Sequence, residues 1–388
     1  MPETDPRPGA TAVPEAAVPG TGAPLQTGAL LQTGPLLETG PLLETGALLE
    51  TRELTKHFRI GGLRGHSLHA VDELSLSIGE REIVALVGES GSGKSTVARL
   101  LAMVYRPTSG EIVFRGRPLG DLRSRRDVLA YRSQVPMVFQ DPFSSLNPSH
   151  TIGHVMARGL KLHRSELGRK ERDAEAERVL ESVGLVPARQ VLRKYPYEMS
   201  GGQRQRIGFA QALSYRPKLI LADEPVSMLD VSIRVGLLNV MARLRDEQGV
   251  SLLYITHDIA SARYVSDRVL VMYGGHLVEQ GPSEEVLHDP VHPYTKLLLS
   301  AVPDPRARIA ISSADIGEPP RVVDPGEGCR FRWRCPVAQE VCSRVTPVLV
   351  ECAPGRGAAC HVAAPAGSGS IRRAGRAEAA PLGPVAGA

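Results

Sequence analysis

From Leu48 onward the chain alternates short apolar runs with longer segments of helical spacing. The strand signals are Leu48–Leu54, Ala70–Ile78, Glu82–Val87, Glu111–Phe114, Leu219–Ala222, Ser251–Ile255 and Arg268–Met272. Several are rich in Val, Ile and Leu with no polar break, the pattern of strands buried on both faces. Between them, 97–103, 151–162 and 165–184 place apolar residues at three- and four-residue intervals, which predicts helices. The last two carry many charges and form a helical block set between strand signals. Strands alternating with helices predict an α/β fold with a largely parallel sheet covered on both faces.

Residues before that pattern read differently. A six-residue unit repeats as Ala29-Leu-Leu-Gln-Thr-Gly34, Pro35-Leu-Leu-Glu-Thr-Gly40, Pro41-Leu-Leu-Glu-Thr-Gly46 and Ala47-Leu-Leu-Glu-Thr-Arg52. Glycine at the unit boundaries and frequent proline exclude a long helix or a central strand. The unit is also too short for a solenoid repeat. Residues 1–46 are therefore expected to be a disordered leader copied from the first real strand, and 363–388 a disordered Ala/Gly/Pro/Arg tail.

Composition adds bounds. With 388 residues and 42% hydrophobic content, the chain can bury one large core and a smaller attachment. Its formal charge of +4, with Lys and Arg interleaved among Asp and Glu, calls for no nucleic-acid partner. No apolar run is long enough to cross a bilayer, and the N-terminus lacks a basic region leading into an apolar one. A cytosolic chain is expected, with other subunits spanning any membrane it serves.

The chemistry starts at Gly88-Glu-Ser-Gly-Ser-Gly-Lys94-Ser95-Thr96, which follows the Glu82–Val87 run and opens the helix over 97–103. It fits the phosphate-cradling pattern G-x-x-x-x-G-K-[ST] in the strand–loop–helix setting that pattern needs. Gly88, Gly91 and Gly93 let backbone N–H groups turn inward around Ser90 and Ser92, and the helix aims its positive end at the same anion. Lys94 is expected on the outer phosphates and Ser95 on Mg²⁺. Far along the chain, Leu219-Ile-Leu-Ala-Asp223-Glu224-Pro225 is an apolar strand ending in two acids. Asp223 there can hold Mg²⁺, and Glu224 can orient or deprotonate an attacking water.

Further stretches resemble the ATP-binding-cassette (ABC) family. Met199-Ser200-Gly201-Gly202-Gln203 is similar to its LSGGQ signature, with Met for Leu. Gln140 in Val135-Pro-Met-Val-Phe-Gln140 resembles the Q-loop residue, Ser227-Met-Leu-Asp230 the D-loop, and His257 in Ile255-Thr-His257-Asp258 the switch histidine. Phe58 in Lys56-His-Phe58 looks like the aromatic on which adenine stacks. Met228, where a small residue is usual, and Met199 are apolar swaps that volume tolerates. The resemblance covers roughly 48–300 and implies a P-loop NTPase core of the ABC type. ATP and Mg²⁺ would be held by Phe58, the Gly88–Thr96 loop, Asp223 and Gln140, with Glu224 and His257 acting on the γ-phosphate. In the family the Ser200, Gly201, Gly202 and Gln203 element faces the nucleotide of a partner protomer, and Asp230 of the D-loop also belongs to the nucleotide site, so one copy of each motif implies pairing with itself or a homologous ATPase subunit.

Phe139-Gln-Asp-Pro-Phe-Ser-Ser-Leu-Asn-Pro148, Ala222–Ser232 and His292-Pro-Tyr-Thr-Lys-Leu-Leu-Leu-Ser-Ala-Val-Pro-Asp304 resemble ATPase subunits of oligopeptide, dipeptide and nickel importers. That likeness implies two transmembrane permease subunits touching the Asp-Pro-Phe stretch and the helical block. It further implies an extracytoplasmic solute-binding protein, reached indirectly, and a place on the cytoplasmic face of the cell membrane. Soluble cassette proteins acting on nucleic acid or ribosomes would carry two cassettes or a strongly basic arm, and neither is in this sequence. An exporter subunit would lack the importer-type stretches. The expected organisation is a leader (1–46), an ABC ATPase domain (47–290) with a helical subdomain at about 144–205, a small Cys-rich C-terminal domain (291–362) and the tail.

All 5 cysteines fall between 329 and 360. In a cytosolic chain such a cluster points toward metal rather than disulfides, and its spacing is not that of common C-x-x-C zinc modules. The run resembles the C-terminal segment of peptide-importer ATPases, which in some members holds a four-iron, four-sulfur cluster. The resemblance implies Cys329, Cys335, Cys342 and Cys360 as ligands with Cys352 spare; zinc and unmetallated thiols stay open beside it.

Overall fold

The structure is a computed structural model that describes residues 47–61, 65–141, 146–300 and 322–363. The leader expected over 1–46 lies outside the described residues, as do 142–145 of the Asp-Pro-Phe stretch and all but the first residue of the tail. The chain enters through an antiparallel pair, β1 (Leu49–Ile60) and β2 (His66–Ile78), then runs through β3 (Ile83–Val87) into α1 (Lys94–Leu101). Next, β4 (Ser109–Phe114) pairs with the free side of β1, and β5 (Arg117–Pro118) closes a four-stranded sheet in the order β2-β1-β4-β5.

Helix α2 (Arg125–Gln134) starts at Ser124, whose hydroxyl accepts from the Asp127 N–H at 3.0 Å, and it leads to β6 (Met137–Val138). The charged block then folds as expected into helices, α3 (Ile152–His163), α4 (Arg169–Ser182), α5 (Ala188–Arg193) and α6 (Gly201–Leu213). Helix α4 is charged over most of its surface and buries only Ala176, Val179 and Leu180, one helical stripe. Beyond it come β7 (Leu219–Asp223), α7 (Val231–Gln248), β8 (Ser251–Thr256), α8 (Ile259–Val265) and β9 (Arg268–Tyr273), then β10 (His276–Pro282), α9 (Ser283–His288) and α10 (Pro293–Ser300).

The central sheet runs β9-β3-β8-β7-β6 with every neighbour parallel, and its strands supply two cores by simple alternation. Ile83, Ala85 and Val87 face the core shared with the helical block, together with Ile220, Leu252, Tyr254 and Val269. Val84 and Leu86 face the core under α1 and the antiparallel sheet, together with Leu221, Leu253 and Leu270. This two-sided burial is why the strands read as unbroken apolar runs. Among the described residues no helix is long and apolar enough to cross a membrane.

The Cys-rich segment shares this sheet. It contains α11 (Val341–Arg344), β11 (Val350–Ala353) and β12 (Arg356–Ala358), and β12 pairs antiparallel with β10 through Glu279↔Ala358 and Gln280↔Gly357. Phe331 is buried in the core against Tyr273 and Tyr294. At the seam, fully buried Glu279 accepts from the Val291 and His292 N–H groups at 2.8 and 2.9 Å and from Arg356 Nη2 at 3.2 Å. Arg356→Ala would leave that carboxylate without its cation, and removing one partner of a buried ion pair costs ~3–5 kcal/mol. A urea unfolding midpoint lowered to match checks this; an unchanged midpoint would show that the seam does not depend on the pair.

Candidate active site

The phosphate loop is shaped by close approaches that exclude side chains. Gly93 has φ +107° and ends the loop as the N-cap of α1, and a Cβ there would overlap the Ala70 carbonyl oxygen of β2. Gly88, with φ +153°, sits as close to the Met272 carbonyl of β9. Gly91 has φ +79° but open space around it, so only its backbone conformation demands glycine.

Lys94, at the first turn of α1, curls back over the loop. Its Nζ donates to the carbonyls of Gly88 and Glu89, both at 2.7 Å, and lies 3.4 Å from Ser92 Oγ. Burial pushes its pKa down to about 8, although the carboxylates of Glu224, Asp223 and Glu89 pull the other way. Phosphates beside Lys94 would raise that value again, so above pH 8 ATP binding takes up a proton. Affinity is then fully present below pH 8 and lost as pH rises, by about tenfold at pH 9. Titration calorimetry at pH 7 and 9 tests this; equal affinities would refute it.

The two acids at the end of β7 separate into distinct environments. Ser95 Oγ donates to Asp223 Oδ1 at 2.9 Å, which places two hard oxygen donors side by side at the loop's mouth. Burial raises the Asp223 pKa, and the neighbouring Glu224 charge adds to the rise, while the Ser95 hydrogen bond opposes it. Glu224 turns out of the strand with φ +45°, a conformation costly for a residue with a side chain. Its N–H is tied to the Ile255 carbonyl at 2.9 Å. Gln140 Nε2 donates to Glu224 Oε2 at 2.9 Å, and His257 Nδ1 lies 3.2 Å from Glu224 Oε1. Gln140, Glu224 and His257, distant in sequence, thus meet at one carboxylate.

These groups line one open cleft of about 860 Å³. Ser90, Gly91, Gly93, Lys94, Ser95 and Thr96 form its floor, with Gln140, Glu224 and His257 at one side. Phe58 forms another side, its ring edge-on to Tyr105 at 5.3 Å and covered by Lys56 Nζ at 5.0 Å. Ser200, Gly201, Gly202, Gln203 and Asp230 do not line it. Ser200 instead caps α6: its Oγ accepts from the Gln203 N–H at 3.2 Å, and Gln203 Oε1 accepts from the Ser200 N–H at 3.0 Å. A Cβ at Gly202 would run into Ile233, so this glycine sets how closely α6 packs on α7. Gln205 Nε2 of α6 holds the Phe139 carbonyl at 3.2 Å, tethering Gln140 to the helical block.

Sequence reasoning missed part of the cleft wall. Val322 and Val323 line it because the His69 N–H donates to the Val322 carbonyl at 2.9 Å and Leu68 bridges to Val323. No local signal marks a contact between residues some 250 positions apart.

Of the four cysteines singled out from sequence, Cys342 and Cys360 are buried and Cys329 and Cys335 half-buried. Burial pushes the Cys329 thiol up to about 11, against a hydrogen bond from the Phe331 N–H, and the thiols of Cys342, Cys335 and Cys360 add to the rise. Cys335 is raised by burial too, with the Val337 N–H opposing and Cys360 and Cys342 acting on it. The Ala363 N–H reaches Cys360 Sγ at 3.3 Å, and the Cys329 N–H binds the Cys342 carbonyl at 2.8 Å. Cys352 stands apart, acted on by Arg356 and Glu279 rather than by other thiols.

Comparison with known proteins agrees with this geometry. The ABC transporter family matches residues 71–227, and the oligopeptide/dipeptide transporter C-terminal region matches 278–342. A putative oligopeptide transport ATP-binding protein of Bacillus subtilis, YkfD, is 43% identical over 80% of this chain and 94% of its own length. The oligopeptide transport ATP-binding protein OppF of Escherichia coli is 44% identical over 73% of this chain and 85% of its own. Among solved structures, the ATP-binding cassette MJ0796, a dimer in a post-hydrolysis state bound to ADP and Pi, is 28% identical with a TM-score of 0.54, covering 61% of this chain and 98% of that one. The strand–loop–helix around Lys94, the paired Asp223 and Glu224, and the shared C-terminal region converge on one conclusion: this chain belongs to the ABC transporter ATPases, in the branch of the oligopeptide transport ATP-binding proteins.

Proposed function

We propose that the chain hydrolyses ATP as one half of a cassette pair on the cytoplasmic face of a cell membrane, driving import of oligopeptides or dipeptides through two permease subunits. The observation that carries the hydrolytic part is Glu224, held between Gln140 and His257 at the mouth of the Lys94 loop. In this reading Glu224 takes the proton of the attacking water, and His257 and Lys94 offset charge growing on the γ-phosphate. The adjacent oxygens of Ser95 and Asp223, joined by the Gln140 amide oxygen, would hold Mg²⁺, which neutralises phosphate charge when bound. Phe58 would carry the adenine.

Ser200–Gln203 and Asp230 lie away from this chain's own cleft, which supports a role for them at the nucleotide of a second cassette. Met228 and Val231 beside Asp230 are 62% and 74% exposed, an apolar edge suited to that pairing. A second groove of about 460 Å³, between α2, β6, α3 and α6, supports docking of the permease. Exposed Phe139 and Leu162 line it, and Phe139 adjoins Gln140, so a helix seated there could move the catalytic glutamine. A solute-binding protein outside the membrane would deliver cargo to the permease.

N–H groups of Phe331, Val337 and Ala363 are directed at the sulfurs of Cys329, Cys335 and Cys360, which supports a thiolate-bound cluster here. Cys329, Cys335, Cys342 and Cys360 would hold four-iron, four-sulfur, which cross-links the segment when bound. Iron and sulfide analysis after anaerobic purification tests this part: colourless protein lacking both refutes it, and stoichiometric zinc replaces it. For the whole reading, the tagged chain is purified from gently solubilised membranes and its companions are identified. Two polytopic membrane proteins, with or without a sister ATPase, are expected. Ribosomal proteins or nucleic acid without a membrane partner would overturn it.

A further inference from the structure

Glu89 places a negative charge inside a loop built to receive a polyanion. Its side chain does not face the cleft unopposed, because Arg334 Nη1 and Nη2 each bind one of its carboxylate oxygens at 2.8 Å. This parallel two-point pairing is the strongest geometry available to an arginine and a carboxylate. Both side chains are largely buried, at 11% and 24% exposure, so water screens the pair weakly. The guanidinium is seated by the Tyr273 ring at 5.7 Å and the Phe331 ring at 6.0 Å. The backbone of the same loop residue is held as well, its N–H donating to the Tyr294 hydroxyl at 2.9 Å. Tyr294 lies on α10 and Arg334 in the short turn ending at Cys335, so both grips come from the C-terminal region rather than from the nucleotide core.

We propose that Arg334 is a positioning residue for ATP: by pairing with Glu89 it cancels the one negative charge in the phosphate loop and fixes the loop's second residue, making the Cys-rich segment part of the nucleotide site. Glu89 lines the cleft beside Ser90 and Gly91, and its charge reaches Lys94. An unpaired Glu89 would therefore repel the phosphates and compete with them for Lys94. A second link runs in parallel, since Arg330, one residue past Cys329, binds Asp72 and the Gly274 carbonyl. Asp72 also takes His57 and His69, and burial of that carboxylate is outweighed by these hydrogen bonds, which bring its pKa to about 2. With Arg330 sharing Asp72 Oδ2 with His69, that cluster is an anchor for the segment and not a cation site.

The proposal rests on ATP binding alone and is independent of cargo, permease and the metal content of the thiols. Equilibrium binding of MgATP to the full chain tests it at low and at 0.5 M KCl. Arg334→Met is expected to weaken binding roughly tenfold at low salt, the size of one uncompensated charge at this range. Salt should shrink that loss, because an unpaired Glu89 repels the phosphates across the open cleft that ions enter, and Arg334→Met with Glu89→Gln should restore binding to within about twofold. Unchanged affinity in Arg334→Met would overturn the proposal. So would a loss that is indifferent to salt and persists in the double variant, which is what a merely structural role gives. Should Arg334→Met fail to fold, Glu89→Gln alone decides: binding at least as tight as the parent is expected, and weaker binding refutes the charge argument.

Discussion

Glu224→Gln is expected to bind ATP as the parent does and to lose roughly 10²–10⁴-fold in turnover, the usual contribution of a positioned general base. Glutamine keeps the shape and can still bond Gln140 and His257, which now meet Glu224 at 2.9 and 3.2 Å. It cannot accept the proton of water. The strained φ of +45° should survive the change, because the Ile255 carbonyl holds the Glu224 N–H and Ser227 holds its carbonyl. Phosphate release in steady state, paired with an equilibrium Kd for ATP, separates the two effects. Parent-rate hydrolysis in the variant would remove Glu224 from the chemistry.

The second large effect belongs to Gly93. Gly93→Ala must put a methyl into the Ala70 carbonyl oxygen and within 2.8 Å of Met272 Cε, at a φ of +107° that side chains rarely adopt. Neither β2 nor β9 can retreat easily, since both lie within hydrogen-bonded sheets. The loop has to rearrange instead, and local strain of this kind predicts roughly 10–100-fold weaker ATP binding. Gly91→Ala is the control. It bears a positive φ of +79° but meets nothing within 4 Å, so about 1–2 kcal/mol of backbone cost is its whole penalty. Equal losses in the two variants would mean that the close approach to Ala70 is unimportant.

Much of the fold was legible because burial on both faces leaves a plain trace. Strands β3, β7, β8 and β9 read as uninterrupted apolar runs, and the helical block declared itself by charge and spacing. Strands β10, β11 and β12 were not legible: they are short, mixed in character and half polar, and only pairing with β9 and with one another makes them strands. Strand β6 is two residues long and carries no period at all.

The site divides along the same line. Sequence by itself determined the identity of the chemical groups, since a phosphate loop, an acidic strand end, a glutamine, a histidine and a capped glycine-rich helix each have a local cause. The resemblance to peptide-importer ATPases also offered Cys329, Cys335, Cys342 and Cys360 as one set, and the structure adds that burial raises the Cys329 thiol. Only the tertiary structure decided which groups share a carboxylate, that Val322 and Val323 wall the cleft, and that Arg334 reaches Glu89 across 245 positions. The physical reason is range. Capping, turn geometry and apolar periodicity are settled among near neighbours, whereas an ion pair or a hydrogen bond between distant segments exists only once two cores have packed and brought them together.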